Sequence, residues 1–134
     1  MPDTFQLEIV TPEKMVVKDE AEEAQIPGKN GYLGVLPGHA PLITELAVGE
    51  VTYRKGSTTH SLAVAWGFAE VLPSKVTILA ETCERCEEID KERAQKAKER
   101  AEDRLKSGNP EVDYERAEKA LQRAETRLQV AEKS

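Results

Sequence analysis

Apolar and polar side chains alternate in short runs along the first 80 residues. Phe5, Leu7 and Ile9 alternate with Gln6 and Glu8, a period of two that is typical of a strand with one buried face. Comparable runs, separated by turn residues, lie at 15–17, 24–26, 32–36, 42–46, 51–55, 62–66, 68–72 and 76–80. About nine short strands at this spacing predict a sandwich or flattened barrel. They leave no room for the crossover helices of a parallel α/β sheet.

The period changes between residues 87 and 133. Apolar residues now recur every three or four positions, as on one face of a helix, at Ala94, Ala97, Ala101 and Leu105, and at Tyr114, Ala117, Leu121, Ala124, Leu128 and Ala131. Between the two series, Gly108 suits the position after a helix end, Asn109 an N-cap and Pro110 the first helical position. The pattern predicts an antiparallel two-helix hairpin, and therefore an α+β fold in which the N-terminal β part precedes it.

The seam of this hairpin is mostly alanine. Alanine favours helices but buries little area, which is worth about 25 cal/mol per Å². Two hypotheses follow with equal support: a hairpin that opens or redocks, and a hairpin held statically on the β part.

Charge divides the chain in the same place. The net charge is −6, which disfavours a nucleic-acid binder. Residues 1–80 hold 16 charged side chains in 80 positions, whereas residues 81–134 hold 28 in 54, of which 13 are basic. We therefore predict two domains, 1–84 and 85–134.

Two further classes of protein are disfavoured. No apolar run approaches the roughly 20 residues of a membrane helix, the longest being 62–69, so we expect no direct membrane insertion and no signal peptide. Cys83 and Cys86 form one Cys-x-x-Cys, but His39 and His60 are distant from it, so we predict no metal site. An incidental reduced pair and a redox dithiol both stay open.

One glycine- and proline-rich stretch carries a family resemblance. It reads Ile26-Pro27-Gly28-Lys29-Asn30-Gly31-Tyr32-Leu33-Gly34-Val35-Leu36-Pro37-Gly38-His39-Ala40-Pro41-Leu42 and resembles the epsilon subunit of the F-type ATP synthase. The resemblance extends to the opening strand, to residues 66–71 and to the helical tail. It implies an N-terminal antiparallel β-sandwich of about ten strands followed by a two-helix hairpin.

The same resemblance implies a function. Such subunits are non-catalytic parts of the rotating central stalk, peripheral to the cytoplasmic side of the bacterial plasma membrane. Their sandwich binds the gamma subunit and the c-ring, and in many bacteria their extended hairpin reaches the alpha and beta subunits and blocks ATP hydrolysis. It places Tyr32 and His39 near the gamma and c-ring contacts. Some members carry an acidic residue where this chain has Tyr32.

A second resemblance concerns nucleotide. The chain has no phosphate-binding loop of the G-x-x-x-x-G-K-[S/T] type, which argues against a catalytic nucleotide site. The segment Ile89-Asp90-Lys91-Glu92-Arg93-Ala94 is similar to the I/L-D-x-x-R-A motif through which some bacterial epsilon subunits bind ATP. By position, the resemblance adds Glu84, Arg100, Arg123 and Arg127. ATP would then be a regulatory ligand, with no tightly bound cofactor.

The spacing of these residues suits a triphosphate. Arg93 and Arg100 are seven residues apart, hence on one helix face, and Arg123 and Arg127 are four apart on the second helix. A closed hairpin could bring their guanidinium groups together on phosphate. The alternative is that these are ordinary solvated helix charges. For the whole protein, a stand-alone hairpin adaptor and a Cys-x-x-Cys redox switch are the competing hypotheses.

Overall fold

The computed structural model describes residues 3–133 and contains eight strands and two helices. The strands are β1 (Phe5–Val10), β2 (Met15–Ala21), β3 (Glu23–Gly28), β4 (Gly31–Val35), β5 (Leu42–Leu46), β6 (Gly49–Lys55), β7 (Thr58–Val71) and β8 (Lys75–Arg85). A 3-10 turn at Cys86–Glu88 leads into α1 (Lys91–Lys106) and α2 (Tyr114–Ala131). The α+β fold is confirmed, with eight strands in place of about ten.

The strands form one hydrogen-bonded sheet that folds over on itself. Its order is β2-β1-β8-β7-β5-β3-β4, and β6 pairs with both β3 and β7. All neighbours are antiparallel except β1 and β8, which run parallel with Leu7 opposite Val76. The predicted antiparallel sandwich is confirmed apart from this pair, where the two strands can run parallel because the whole domain, and not a tight turn, connects them.

The long strand β7 explains part of the lower strand count. Residues 62–66 and 68–72 were predicted as separate strands, but 58–71 is continuous and bends at Trp66 and Gly67. Trp66 has a φ of 49° and Gly67 a φ of 127°. Before the bend β7 pairs with β6, and after it with β5, so the bend carries the strand from one layer to the other.

A single apolar core lies between the layers. Leu7, Ile9, Ile26, Leu62 and Ile78 are completely buried in it. Leu7, Ile9 and Ile78 lie on the inward side of strands with alternating burial, as the period-two pattern predicted, whereas Leu62 lies in a stretch of β7 that is buried at every position from 61 to 65.

The hairpin is confirmed, but α2 begins later than expected. Gly108 follows the end of α1 with a φ of 67°, as predicted. The predicted N-cap at Asn109 is wrong: its side chain accepts a hydrogen bond from the Glu111 N–H at 2.9 Å within a turn. Asp113 is the N-cap instead, and its carboxylate accepts from the Arg116 N–H at 3.1 Å.

The hairpin rests on the sandwich through α2. Val130 and Ala131 are buried in a small apolar cluster with Ala63 of β7, Cys86 and Ile89. Helix α1 packs on α2, and α2 in turn contacts β6 and β7. A space is left between α1 and the sandwich.

Candidate functional site: a groove between the hairpin and the sandwich

This space is a groove of about 670 Å³. Its walls are the end of β8, the linker before α1, α1 itself and the turn between β1 and β2. Seven of the eight residues predicted to bind ATP line it: Glu84, Ile89, Asp90, Arg93, Ala94, Arg100 and Arg127. These side chains come from β8, the linker and both helices, so the closed hairpin brings together residues up to 43 positions apart.

Part of the motif has a structural role of its own. Asp90 is the N-cap of α1, and its Oδ1 accepts a hydrogen bond from the Arg93 N–H at 3.0 Å. Ile89 is buried in the cluster that docks α2, and Ala94 is buried in the hairpin. The motif therefore both starts the helix and shapes the groove.

The cations of the groove differ in their partners. Arg127 donates from Nε to Glu84 Oε1 in a half-buried ion pair. Arg93 and Arg100 are exposed, and within residues 3–133 neither forms an ion pair with a carboxylate. Two guanidinium groups on one face of α1 are thus open to an anionic ligand.

Arg123 is the predicted residue that lies outside this groove. Its guanidinium carbon is 5.1 Å from the centroid of the Trp66 ring, and Lys119 Nζ is 5.7 Å from it. Both are within the range of a cation–π contact. In this conformation Arg123 helps to hold α2 on the bend of β7.

The sequence analysis missed one wall of the groove. Thr11, Glu13 and Lys14, in the turn between β1 and β2, line it opposite α1. They lie more than 70 positions before the motif, and nothing in their local pattern distinguishes them from other turn residues.

The two residues predicted to contact other subunits, Tyr32 and His39, form hydrogen bonds in different parts of the sandwich. Tyr32 is 61% exposed, and its hydroxyl accepts a hydrogen bond from the Glu50 N–H at 3.1 Å. His39 Nδ1 lies 2.7 Å from the Ala40 carbonyl oxygen. The loop of His39 contacts the β7–β8 turn, where the Gly38 N–H donates to the Pro73 carbonyl oxygen at 2.8 Å.

An apolar patch lies on the outer face of β5, β7 and β8. Ile43 is 69% exposed, Phe68 52% and Leu79 54%. Phe68 is directly opposite Leu79, and Ile43 is opposite the neighbouring Glu70. Three large apolar side chains this exposed on adjacent strands are typical of a protein-contact surface.

The cysteines are reduced and poorly suited to thiolate chemistry. Burial raises the pKa of the Cys83 thiol to about 12 and also raises the pKa of the Cys86 thiol, to which the contact with the Glu87 carboxylate adds. A reactive cysteine needs the opposite shift. In the described part of the chain, no helix has the length and apolarity to cross a membrane.

Comparison with protein families accounts for nearly the whole chain. Residues 4–86 match the ATP synthase, Delta/Epsilon chain, beta-sandwich domain, and residues 87–132 match the ATP synthase, Delta/Epsilon chain, long alpha-helix domain. The chain belongs to the ATP synthase delta/epsilon chain family. The resemblance to epsilon subunits is thereby confirmed, and the two matches meet at the 3-10 turn between β8 and α1.

Bacterial members of the delta/epsilon family are similar in sequence. The ATP synthase epsilon chain of Koribacter versatilis is 69% identical over 111 residues, which cover 83% of this chain and 78% of the relative. That of Solibacter usitatus is 49% identical over 102 residues, 76% of each chain.

Solved structures agree with the fold. A chain of the Euglena gracilis mitochondrial ATP synthase, solved as OSCP/F1/c-ring in rotational state 1, is similar with a TM-score of 0.83 and 26% identity, over 94% of this chain and 80% of that one. A chain of the Tetrahymena thermophila mitochondrial ATP synthase central stalk and c-ring has a TM-score of 0.56 and 12% identity, over 96% and 94% of the chains, and supports the fold alone.

Proposed function

We propose that this protein is a non-catalytic central-stalk subunit of a proton- or ion-translocating F-type ATP synthase, peripheral to the cytoplasmic side of the bacterial plasma membrane. It would couple the gamma subunit to the c-ring and regulate ATP hydrolysis through its hairpin. The observation that carries the proposal is membership of the delta/epsilon family over residues 4–132. The similar Euglena chain lies in a complex of F1 with the c-ring, which supports the same assignment.

The sandwich provides surfaces for these partners. The patch of Ile43, Phe68 and Leu79 would bury apolar area against gamma, and each such side chain contributes about 1.5–3 kcal/mol when fully buried. Tyr32 and His39 would contact gamma and the c-ring at their separate places on the sandwich. Because Tyr32 is neutral, it would contribute a hydrogen bond or apolar contact to the ring rather than a charge.

The docking of the hairpin is suited to regulation because it is small. Besides the cluster around Val130, the described residues contribute the Arg127–Glu84 pair, the contacts on Trp66, and Lys133, whose Nζ lies 2.8 and 2.7 Å from the two oxygens of Glu50. Partly exposed ion pairs contribute about 0–1 kcal/mol each, and exposed cation–π contacts about 0.5–1. A ligand or partner of moderate affinity can shift such an equilibrium.

ATP is the ligand that the groove fits best. Its volume of about 670 Å³ is within the usual range for small-molecule sites. Arg93 and Arg100 can donate hydrogen bonds to phosphate oxygens, and Arg127 can exchange Glu84 for phosphate. Glu84 is then released to accept from a ribose hydroxyl or a base amine. The buried Ala94 leaves space next to the ring.

Regulation follows from differential affinity. The groove exists only while α1 faces the sandwich, so ATP would bind the docked hairpin and not the open one. High ATP would keep the hairpin down and permit hydrolysis. When ATP falls, the hairpin would open toward the alpha and beta subunits and block it.

The nucleotide step is tested by calorimetry on the isolated chain. We expect ATP to bind, and Arg93→Gln and Arg100→Gln to weaken binding about tenfold each, the change that about 1.4 kcal/mol produces. Arg104→Gln is the matched control, because Arg104 is an exposed arginine of α1 that does not line the groove. Absence of heat at millimolar ATP would refute nucleotide binding and leave the stalk assignment intact.

The regulatory step is tested on the assembled complex. We expect deletion of residues 88–134 to raise ATP hydrolysis most at low ATP. Equal hydrolysis at every ATP concentration would refute inhibition. Co-purification distinguishes the two functional hypotheses. A stalk subunit should co-purify with the gamma subunit, whereas a stand-alone adaptor should not.

A further inference from the structure

The turn between β1 and β2 presents a lysine to the groove on a fixed backbone. The Thr11 N–H donates to the Lys14 carbonyl oxygen at 2.9 Å, and the Lys14 N–H donates to Thr11 Oγ1 at 3.3 Å. These bonds use only the backbone of Lys14. Its side chain is exposed and lines the groove opposite α1.

Lys14 shares one property with Arg93 and Arg100. Four cationic side chains line the groove, and Arg127 is paired with Glu84. Within residues 3–133 the other three form no ion pair with a carboxylate. The charge of Lys14 also reaches another groove residue: at Cys83, where burial dominates and raises the pKa, Lys14 is among the smaller effects that lower it.

Carboxylates select among anions in this groove. Five carboxylates also line it, those of Glu13, Glu81, Glu84, Glu88 and Asp90, so a ligand with one negative charge gains little there. Arg93 and Arg100 are about 10 Å apart along α1, at 1.5 Å per residue. A polyphosphate that contacts these two guanidinium groups and a third cation gains several charge-assisted hydrogen bonds at once.

We propose that Lys14 binds the terminal phosphates of the ligand held by Arg93 and Arg100, so that the ligand bridges the sandwich and α1. The inference rests on the proposed nucleotide binding and adds a wall to that site. Helix α1 is otherwise attached through α2, which contacts β6 and β7. A nucleoside triphosphate bound across the groove therefore fastens α1 directly to the sandwich, on which it otherwise rests through α2.

The test compares Lys14→Gln with wild type by calorimetry, using ATP, ADP and AMP on the full chain. We expect ATP binding to weaken about tenfold and AMP binding to stay within about twofold, because AMP lacks the terminal phosphates. Lys14→Arg should restore ATP binding to within about threefold. Lys18→Gln is the matched control, since it removes the same charge from an exposed position on β2 that does not line the groove.

Hydrogen exchange tests the bridge itself. At saturating ATP, we expect slower amide exchange in α1 and in the turn at 11–14 of wild type, and at least about threefold less slowing in α1 of Lys14→Gln. ATP binding by Lys14→Gln equal to that by wild type overturns the inference and leaves nucleotide binding in place. Failure of wild type to bind ATP overturns both. Equal loss of ATP and AMP binding also overturns it, because Lys14 would then not act on the terminal phosphates.

Discussion

The docking of α2 depends on one side chain that the structure identifies, Val130. It is completely buried against Ala63, Cys86 and Ile89. Val130→Ala removes two methyl groups, which costs about 1.6 kcal/mol at about 0.8 kcal/mol for each, and the remaining cavity adds up to about 1 kcal/mol. The equilibrium between docked and open hairpin should therefore shift toward the open form by about fifteenfold to seventyfold.

Amide hydrogen exchange of the full chain measures this shift directly. In Val130→Ala, amides of α2 should exchange faster by that factor, while those of the central strand β8 should not change, because only the hairpin opens. Val112→Ala is the control: it removes the same two methyl groups in the turn between the helices, away from the sandwich. Unchanged exchange in α2, or equal acceleration in α2 and β8, would refute the reasoning, since the hairpin would then not open as a separate unit.

Three other outcomes follow from the fold. Gly67→Ala should lower the free energy of unfolding, measured in urea, by about 3 kcal/mol or more, because φ is 127° and a Cβ there would lie 1.8 Å from a backbone oxygen. Gly34→Ala is the control and should cost much less, because its Cβ would meet only a side-chain amide at 3.3 Å. Cys83, with a pKa of about 12, should react with a thiol reagent at pH 8 at least about a hundredfold more slowly in the native chain than in urea; equal rates would contradict its burial. The Lys55 ammonium, 2.7 Å from Asp19, lowers the pKa of that carboxyl below its usual 3.8. The ion pair therefore contributes to the free energy of unfolding above pH 3.8, and this contribution is lost as the pH falls through the lowered pKa. Asp19→Asn should accordingly destabilise at pH 7 and approach wild type near pH 2, and an equal deficit at both pH values would exclude the ion pair as the cause.

Local patterns predicted the elements well where local physics decides them. Alternation and turn residues located the strands approximately but divided β7 in two, and Gly108, a residue type that readily adopts a positive φ, correctly marked the end of α1 at Lys106. The start of α2 was missed because Asn109 and Asp113 are both adequate N-caps.

Most residues of the groove could be named from the sequence, but the placement of Arg123 could not. Six of the seven predicted groove residues lie in one stretch, 84–100, and the seventh is Arg127; the family resemblance named all seven before the fold was known. Whether Arg123 faces that groove or Trp66 depends on how α2 rotates against the bend of β7, which no local pattern contains.

Long-range pairing decided the remaining features. The parallel contact of β1 with β8 brings the turn at Lys14 alongside the end of β8, and thereby opposite α1, although about 80 residues separate Lys14 from Arg93 in the chain. Alternation and spacing act over a few residues and specify strands and helices. The second wall of the groove arises only when distant strands share hydrogen bonds and bury one core, because that packing is a property of the whole chain.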